Sequence, residues 1–321
     1  MHTVAPLWLW AAFAAVVVVS LFIDFVVLRK QGAHEIGVKE ALHWSLVWVA
    51  LSLAFNALLW WAVRDATGST ETASTRALEF LTGYLIEKSL AVDNIFVFLL
   101  IFSYFAVPAA YQKRVLMIGI IGAIVLRTIM ILVGGWLLQQ FHWILYLFGA
   151  FLILTGVKMW WAAGEEPSLD GNPALRLLRR VMPVSHGYDG EKFWTVENGV
   201  RIATPLLMVI CLVALTDVIF AVDSIPAIFA VTSDPFIVLT SNVFAILGLR
   251  AMYFLLAAVA NKFHLLNYGL AVVLVFIGTK MCLIDVFKIP VGVSLGVVIA
   301  ILAVTMWLSL RTAPGKEHVG H

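Results

Sequence analysis

Four carboxylates interrupt the apolar runs of this chain in two matching pairs, Glu87 with Asp93 and Asp217 with Asp223. A neutral oxygen donor follows the second acid of each pair, Asn94 in one and Ser224 in the other. An ionised side chain at the centre of a membrane helix costs roughly 2.5–3.5 kcal/mol, so four unpaired charges would cost roughly 10–14 kcal/mol. That is comparable with the whole net stability of a domain, about 5–15 kcal/mol. These groups must therefore be paired, protonated, hydrated or bound to a cation. Carboxylate, amide and hydroxyl oxygens, with Asn242 as a further candidate, suit Mg²⁺, Ca²⁺ or Mn²⁺. Zinc and copper sites recruit His or Cys, whereas the eight histidines lie mostly in loops and tails and only two cysteines exist. Met117, Met130, Met208 and Met252 are scattered and read as packing. The chemistry implied is binding of an oxygen-liganded divalent cation, with protons competing for the same carboxylates.

Two arginines, Arg127 and Arg250, lie in the same apolar context. Arginine keeps its charge, so each is expected to neutralise one acid of its own half and to play a structural or gating part. One acid per half is then left for a cation or proton, or for Lys88 and Lys280, which could instead snorkel to the interface. The plainer alternative is a salt-bridge network that only holds the bundle together. Asp24, near the end of the first apolar run, is expected to reach interfacial water, with a contribution to the site as the sharper alternative. Asn56 is expected to hydrogen-bond between helices. Residues six apart on a regular helix lie about 120° apart around its axis, so Glu87 and Asp93 share no face unless the helix is irregular. Pro226 predicts a local break after Asp223. Crude depth counting puts Glu87 and Asp217 near the membrane midplane, with Asp93 and Asp223 on opposite exit paths.

The elements that position these residues follow from composition. The 321 residues are 62% hydrophobic and 12% charged, against about 25% charged in soluble domains. Nine stretches are apolar enough for a membrane helix of about 20 residues: 7–28, 41–63, 78–105, 115–138, 142–161, 204–231, 236–260, 265–287 and 290–310. The expected fold class is an all-α polytopic membrane protein. The first stretch is followed at once by Arg29 and Lys30 and reads as a retained membrane helix. Thirteen flanking Lys and Arg fall on one side of this topology and three on the other. The positive-inside rule then predicts an external N-terminus, a cytoplasmic C-terminus and a multi-pass protein of the inner (plasma) membrane. Cys211 and Cys282 sit in apolar runs and predict no structural disulfide. The net charge of +2 implies no nucleic-acid partner. No P-loop, His-Glu-x-x-His or Gly-x-Ser-x-Gly pattern occurs, so neither an enzyme nor a prosthetic group is expected. The expected partners are a divalent metal ion, protons and the lipid bilayer, with protein partners unassigned.

The chain also contains an internal repeat. Leu90-Ala-Val-Asp93-Asn94-Ile matches Phe220-Ala-Val-Asp223-Ser224-Ile, Leu126-Arg127 matches Leu249-Arg250, and Gly156-Val-Lys158-Met159 matches Gly278-Thr-Lys280-Met281, at offsets of 130, 123 and 122. Two N-terminal helices (1–77) thus precede a three-helix copy (78–161), a cytoplasmic loop (162–203), a second copy (204–287), and a last helix with its tail (288–321). Three crossings per copy invert the second relative to the first, the arrangement of many secondary transporters. In the loop, Ala174–Met182 reads as a short amphipathic helix, and 193–202 as a β-hairpin around Glu197-Asn198-Gly199. Glu165 and Glu166 read as solvated.

The segments Glu87-Lys-Ser-Leu-Ala-Val-Asp93-Asn94, Asp217-Val-Ile-Phe-Ala-Val-Asp223-Ser-Ile-Pro226-Ala and Asn242-Val-Phe-Ala-Ile-Leu-Gly-Leu-Arg250-Ala-Met-Tyr resemble the TerC family. The resemblance runs over nearly the whole chain. It implies manganese homeostasis, with Mn²⁺ export as the leading activity, and Glu87, Asp93, Asp217 and Asp223 as the functional acids with Asn94 and Ser224 beside them. It also implies an alternative of another kind, a membrane scaffold or metal-delivery factor serving metal or tellurite stress or exported proteins.

Overall fold

The computed structural model describes residues 3, 5–31, 37–141, 143–162, 173–185, 187–197, 199–259, 265–283, 285–287 and 289–312. The side chains of Asp93 and Asp223 are outside the described residues. Within them lie eleven helices: α1 (Leu7–Gln31), α2 (Val38–Thr67), α3 (Thr70–Tyr104), α4 (Ala109–Gln140), α5 (Ile144–Ala162), α6 (Pro173–Val181), α7 (Pro205–Phe229), α8 (Pro235–Leu247), α9 (Leu249–Val259), α10 (Leu266–Cys282) and α11 (Val291–Arg311). One antiparallel hairpin, β1 (Trp194–Glu197) and β2 (Val200–Ala203), pairs Trp194 with Ala203 and Glu197 with Val200. The chain is an all-α polytopic membrane protein.

Six helices, α1, α2, α4, α5, α7 and α11, are long and apolar enough to cross a membrane unaided. The pair α8–α9, bent by 45°, makes a seventh if counted as one span. The nine expected stretches thus shrink to six or seven by this measure. The shortfall is α10, only 17 residues long, and α3, where every membrane-length window carries three or more acidic or basic residues. Helix α3 also begins at Thr70, not 78. The polar stretch Thr70–Arg76 is helical because Gly68, at φ 66°, closes α2 and Ser69 caps α3 by accepting the Thr72 N–H.

Helix α8 is the interior of the bundle, with all thirteen residues buried. Phe244 packs on Phe55 with ring centroids 4.6 Å apart, and Phe236 on Trp10 at 4.7 Å. Many large apolar side chains on the outer helices, such as Phe22, Trp61, Trp136 and Leu154, are exposed, as a lipid-facing surface requires. Between α8 and α9 the chain breaks at Gly248. A Cβ there would lie 2.7 Å from Lys88 Nζ and 3.1 Å from Trp48 Cβ. The sequence predicts the break at Pro226, but α7 runs through that proline. Pro226 stands three residues before the helix end, so the hydrogen bond it removes and the crowding of the carbonyl four residues back fall on the final turn, and α7 ends at Phe229.

Helices α5 and α10 meet backbone to backbone. A Cβ on Gly149 would lie 2.9 Å from the Gly278 carbonyl, and one on Gly156 would lie 2.7 Å from the Ala271 carbonyl. The offset of 122 carries Gly149 onto Ala271 and Gly156 onto Gly278, so each contact is the exchanged image of the other. Small residues permit this approach where lipid supplies no hydrophobic drive.

The loop after α5 folds as α6 and the hairpin. Leu175, Leu178 and Phe193 pack on α3, α4 and α7 side chains. Arg114 Nη1 donates to Glu191 Oε2 at 2.6 Å, and the Tyr188 hydroxyl donates to the Phe105 carbonyl at 2.7 Å. Burial pushes the Tyr188 phenol up to about 12, so it stays a donor through the physiological range. Glu165 and Glu166 are outside the described residues.

Gly156→Leu should force α5 and α10 apart. Overpacking typically costs about 1–3 kcal/mol, and the obstacle here is backbone. A lowered melting temperature of the detergent-purified protein is the expected result, with the exposed neighbour on the same helix, Leu154→Ile, leaving it unchanged.

Candidate cation site

Small residues bring the site's helices together. Gly83 of α3 abuts Ser241 of α8, where an added Cβ would lie 2.8 Å from the hydroxyl, and Gly119 of α4 abuts Val213 of α7 at 3.2 Å. One turn further along α3, Glu87 is fully buried. Arg127 reaches it from α4: Nη1 donates to Glu87 Oε1 and, at 3.2 Å, to the Ser224 hydroxyl. The same guanidinium donates to Asp217 on α7, from Nη2 to Oδ1 at 3.0 Å and more weakly from Nε to Oδ2 at 3.4 Å. One buried arginine therefore bridges acids from α3 and α7, the helices that carry the two matching sequence segments. Since a single head group spans both, Glu87 and Asp217 stand at one level.

This overturns the expected pairing of one arginine with one acid in each half. Arg250 engages neither central acid. Its Nη2 donates to Asp24 Oδ1 at 2.6 Å, with both side chains buried. Asp24 accordingly does not reach interfacial water as the sequence predicts; a fixed cation one helix away is the stronger partner in a dry interior. Among the described residues Lys88 takes no spare carboxylate, and it does not snorkel. It donates to the Ala245 carbonyl at 3.2 Å, beside the α8–α9 break.

Two carboxylates sharing one guanidinium leave one negative charge in excess when both are ionised. Glu87 Oε2 is buried with no hydrogen-bond partner. Both amide atoms of Asn242, fully buried on α8, also lack partners. Asn94 is buried on α3. Native interiors satisfy nearly all such atoms, and a proton or cation would supply what Glu87 lacks. Asn56 is buried too, but its Oδ1 makes no hydrogen bond, contrary to the expected helix–helix tie. Among the described residues no three His, Cys, Asp or Glu side chains converge as a metal cage. Glu87 and Asp217 are two of the four candidate acids, and Asp93 and Asp223 are the two whose side chains are not described.

A second buried polar group escapes the sequence reading. Glu79, two turns before Glu87, accepts from Arg76 at 2.8 Å and from the Thr232 hydroxyl at 2.7 Å. Asp234 caps α8 by accepting the Phe236 N–H and also accepts from Thr3 at 2.9 Å. Glu79 stands near the expected start of its span, where an acid reads as interfacial. The Ser69 cap, legible as Ser before a helix, is the signal that carries the helix back past it. These contacts tie α3 to the α7–α8 connection.

The sequence matches the Integral membrane protein TerC family over residues 72–317. The chain belongs to the TerC family. It is 57% identical over its full length, and over the full length of the relative, to a protein of Escherichia coli O157:H7 named "Putative membrane-bound redox modulator Alx". It is 51% identical to "Uncharacterized membrane protein STKORF319" of Myxococcus xanthus, covering 96% of this chain and 95% of that one. An uncharacterized membrane protein of Rickettsia bellii is 36% identical over 94% of this chain and 96% of its own length. No solved structure matches the chain. The TerC match spans all four candidate acids and both arginines.

Arg127→Gln should strand two like charges. Removing one partner of a buried ion pair costs about 3–5 kcal/mol. Adding Glu87→Gln should recover part of that loss, with a coupling of about 0.5–3 kcal/mol. Thermal unfolding of the two single variants and the double variant measures it; strict additivity would refute the shared-arginine geometry.

Proposed function

We propose that this TerC protein exports a divalent cation, Mn²⁺ as cargo, across the bacterial inner membrane in exchange for protons. The observation that carries the reading is Glu87: a fully buried carboxylate with one oxygen on Arg127 and the other unpartnered, facing Asp217 from the opposite copy. A carboxylate can hold a cation or a proton but not both, so such a pair couples the two without further machinery. Asp217 and Ser224 supply oxygens from α7, and Asn94 and Asn242 lie on the neighbouring helices. Asp93 and Asp223 complete the proposed set. Oxygen ligands favour Mn²⁺, Mg²⁺ and Ca²⁺ over softer competitors; the choice of Mn²⁺ among them rests on the family resemblance. In this reading one copy rocks against the other around the acids, the N-terminus faces outward and the loop carrying α6 faces the cytoplasm. No enzymatic step and no prosthetic group enter it.

The name of the Escherichia coli relative favours a second reading, redox modulation. This chain has two thiols, Cys211 on α7 and Cys282 on α10, both free. Neither forms part of the acid site, so a redox effect would arise through metal content instead. A metal-delivery role for exported proteins is the remaining alternative, in which metal binds but does not cross.

Purified full-length protein in liposomes loaded with a Mn²⁺-sensitive dye tests the proposal. Flux should depend on a pH gradient and fall at least about tenfold in Glu87→Gln, Asp217→Asn and Asp223→Asn, since even outer-shell changes at metal sites cost about 10–100-fold. Metal binding without flux under any gradient would instead favour delivery, and Cys211→Ser/Cys282→Ser should transport normally.

A further inference from the structure

The two arginines stand in equivalent positions of the repeat but in unlike surroundings. The offset of 130 carries Glu87 onto Asp217, and that of 123 carries Arg127 onto Arg250. Exchanging the copies therefore maps the acid pair onto itself, and maps the bonds of Arg127 to Glu87 and Asp217 onto bonds of Arg250 to the same two acids. Only one guanidinium can fill that place, and here it is Arg127. The contacts of α5 with α10 do keep the exchange, so the asymmetry lies in the arginine-bearing helices and their surroundings.

Two features account for it. Helix α4 runs unbroken through Arg127, whereas α8–α9 bends by 45° at Gly248, just before Arg250. Asp24, on α1 outside both copies, then holds Arg250 at 2.6 Å. Neither side of this arrangement is fully satisfied. Arg250 Nη1 is a buried donor without a partner, and Glu87 Oε2 is a buried acceptor without one.

We propose that Arg250 is the second occupant of the Glu87–Asp217 pair, replacing Arg127 in the other state of the cycle, and that Asp24 holds it in reserve. The alternation itself rests on the transporter reading. Arginine cannot shed its charge to cross a dry interior, so a position with a carboxylate beside it is favoured over one without. Asp24 has no image in the first copy, because α1 lies outside the repeat. Arg127 thus lacks an equivalent reserve position, which makes the form with Arg127 engaged the resting one. Arg250 is a positioning residue here: it sets which acids are free and on which side, and it does not touch the cargo.

Cysteine accessibility in vesicles, without metal, tests this. Cys211 and Cys282 are replaced by Ser, and a reporter is placed at Ala91→Cys or Ala230→Cys, buried positions on opposite sides of Glu87 along the bundle. Maleimide labelling rates are read from both membrane faces. Asp24→Asn releases Arg250 and Arg127→Gln vacates the centre, so both should shift labelling towards the same end, by about fivefold or more at the usual strength of coupling between sites. Adding Arg250→Gln to Asp24→Asn should abolish the shift, which mere destabilisation by Asp24→Asn would not do. Opposite shifts from Asp24→Asn and Arg127→Gln, or a shift that persists in the double variant, would overturn the inference. So would unchanged labelling in folded Asp24→Asn protein. Mn²⁺ flux in the same vesicles separates the two proposals: absent wild-type flux with the labelling pattern intact removes the cargo and keeps the exchange, whereas normal flux without the pattern removes the exchange alone.

Discussion

A guanidinium that cannot lose its proton, enclosed where water does not reach, constrains the rest of this bundle. Arg127 is almost wholly buried, at 1% exposure. In such surroundings a lone charge costs several kcal/mol, so carboxylates must stand within hydrogen-bond reach of it. They come from α3 and α7, whose sequences match around Asp93 and Asp223. The three helices must therefore converge at one level, and Gly83 and Gly119 supply the close approach. Ion pairing thus explains the packing here more directly than apolar burial does. Apolar surface would be equally content facing lipid.

The same reasoning separates what is held from what is free to change. Helices α5 and α10 lie in backbone contact through glycines and act as a fixed seam. Helix α8 is locked by aromatic packing on α1, α2 and α3. The α8–α9 break is of another kind. The Ala245 carbonyl beside it accepts from Lys88, and Arg250 leaves it towards Asp24. These are polar contacts with a small number of alternatives, and an element with two discrete arrangements is what a conformational change requires. The seam joins α5 to α10, whereas the hinge lies between α8 and α9, so movement of α9 need not disturb α10 against α5.

What the sequence made legible was the chemistry and not its partners. Acids at matched positions in apolar runs, with Asn94 and Ser224 beside them, identify the helices that build the site, because the cost of burying charge is a property of the residue type. The assignment of Arg127 to both Glu87 and Asp217 was not legible. It depends on which helices face each other across the two copies, and periodicity along one chain carries no such information. Asp24 misled for a related reason: depth along α1 was readable, but the neighbour at that depth was not. Pro226 and Gly248 exchange roles because α7 ends within a turn of the proline, whereas Gly248 leaves room for Trp48 and Lys88 to approach the backbone where α8 gives way to α9, and that approach is tertiary. Glu79 was missed because its helix extends to Thr70 through polar residues whose cap, Ser69, weighs less in a hydropathy reading than the apolar run behind them.

Charge counting links the arginine to any cargo. If both are ionised, Glu87 and Asp217 carry two negative charges, and Arg127 returns one. A divalent ion added while Arg127 remains would leave the trio with one net positive charge in a medium that tolerates none well. Either further acids must join, or Arg127 must leave as the ion arrives. The first route calls on Asp93 and Asp223, six residues further along the same two helices. The second calls on a change in α4 relative to α3 and α7. A proton on Glu87 makes neither demand, since it cancels the excess charge with Arg127 in place. Proton and divalent ion thus favour different positions of one arginine, and this difference in preferred geometry, rather than affinity alone, is what would let one gradient drive the other.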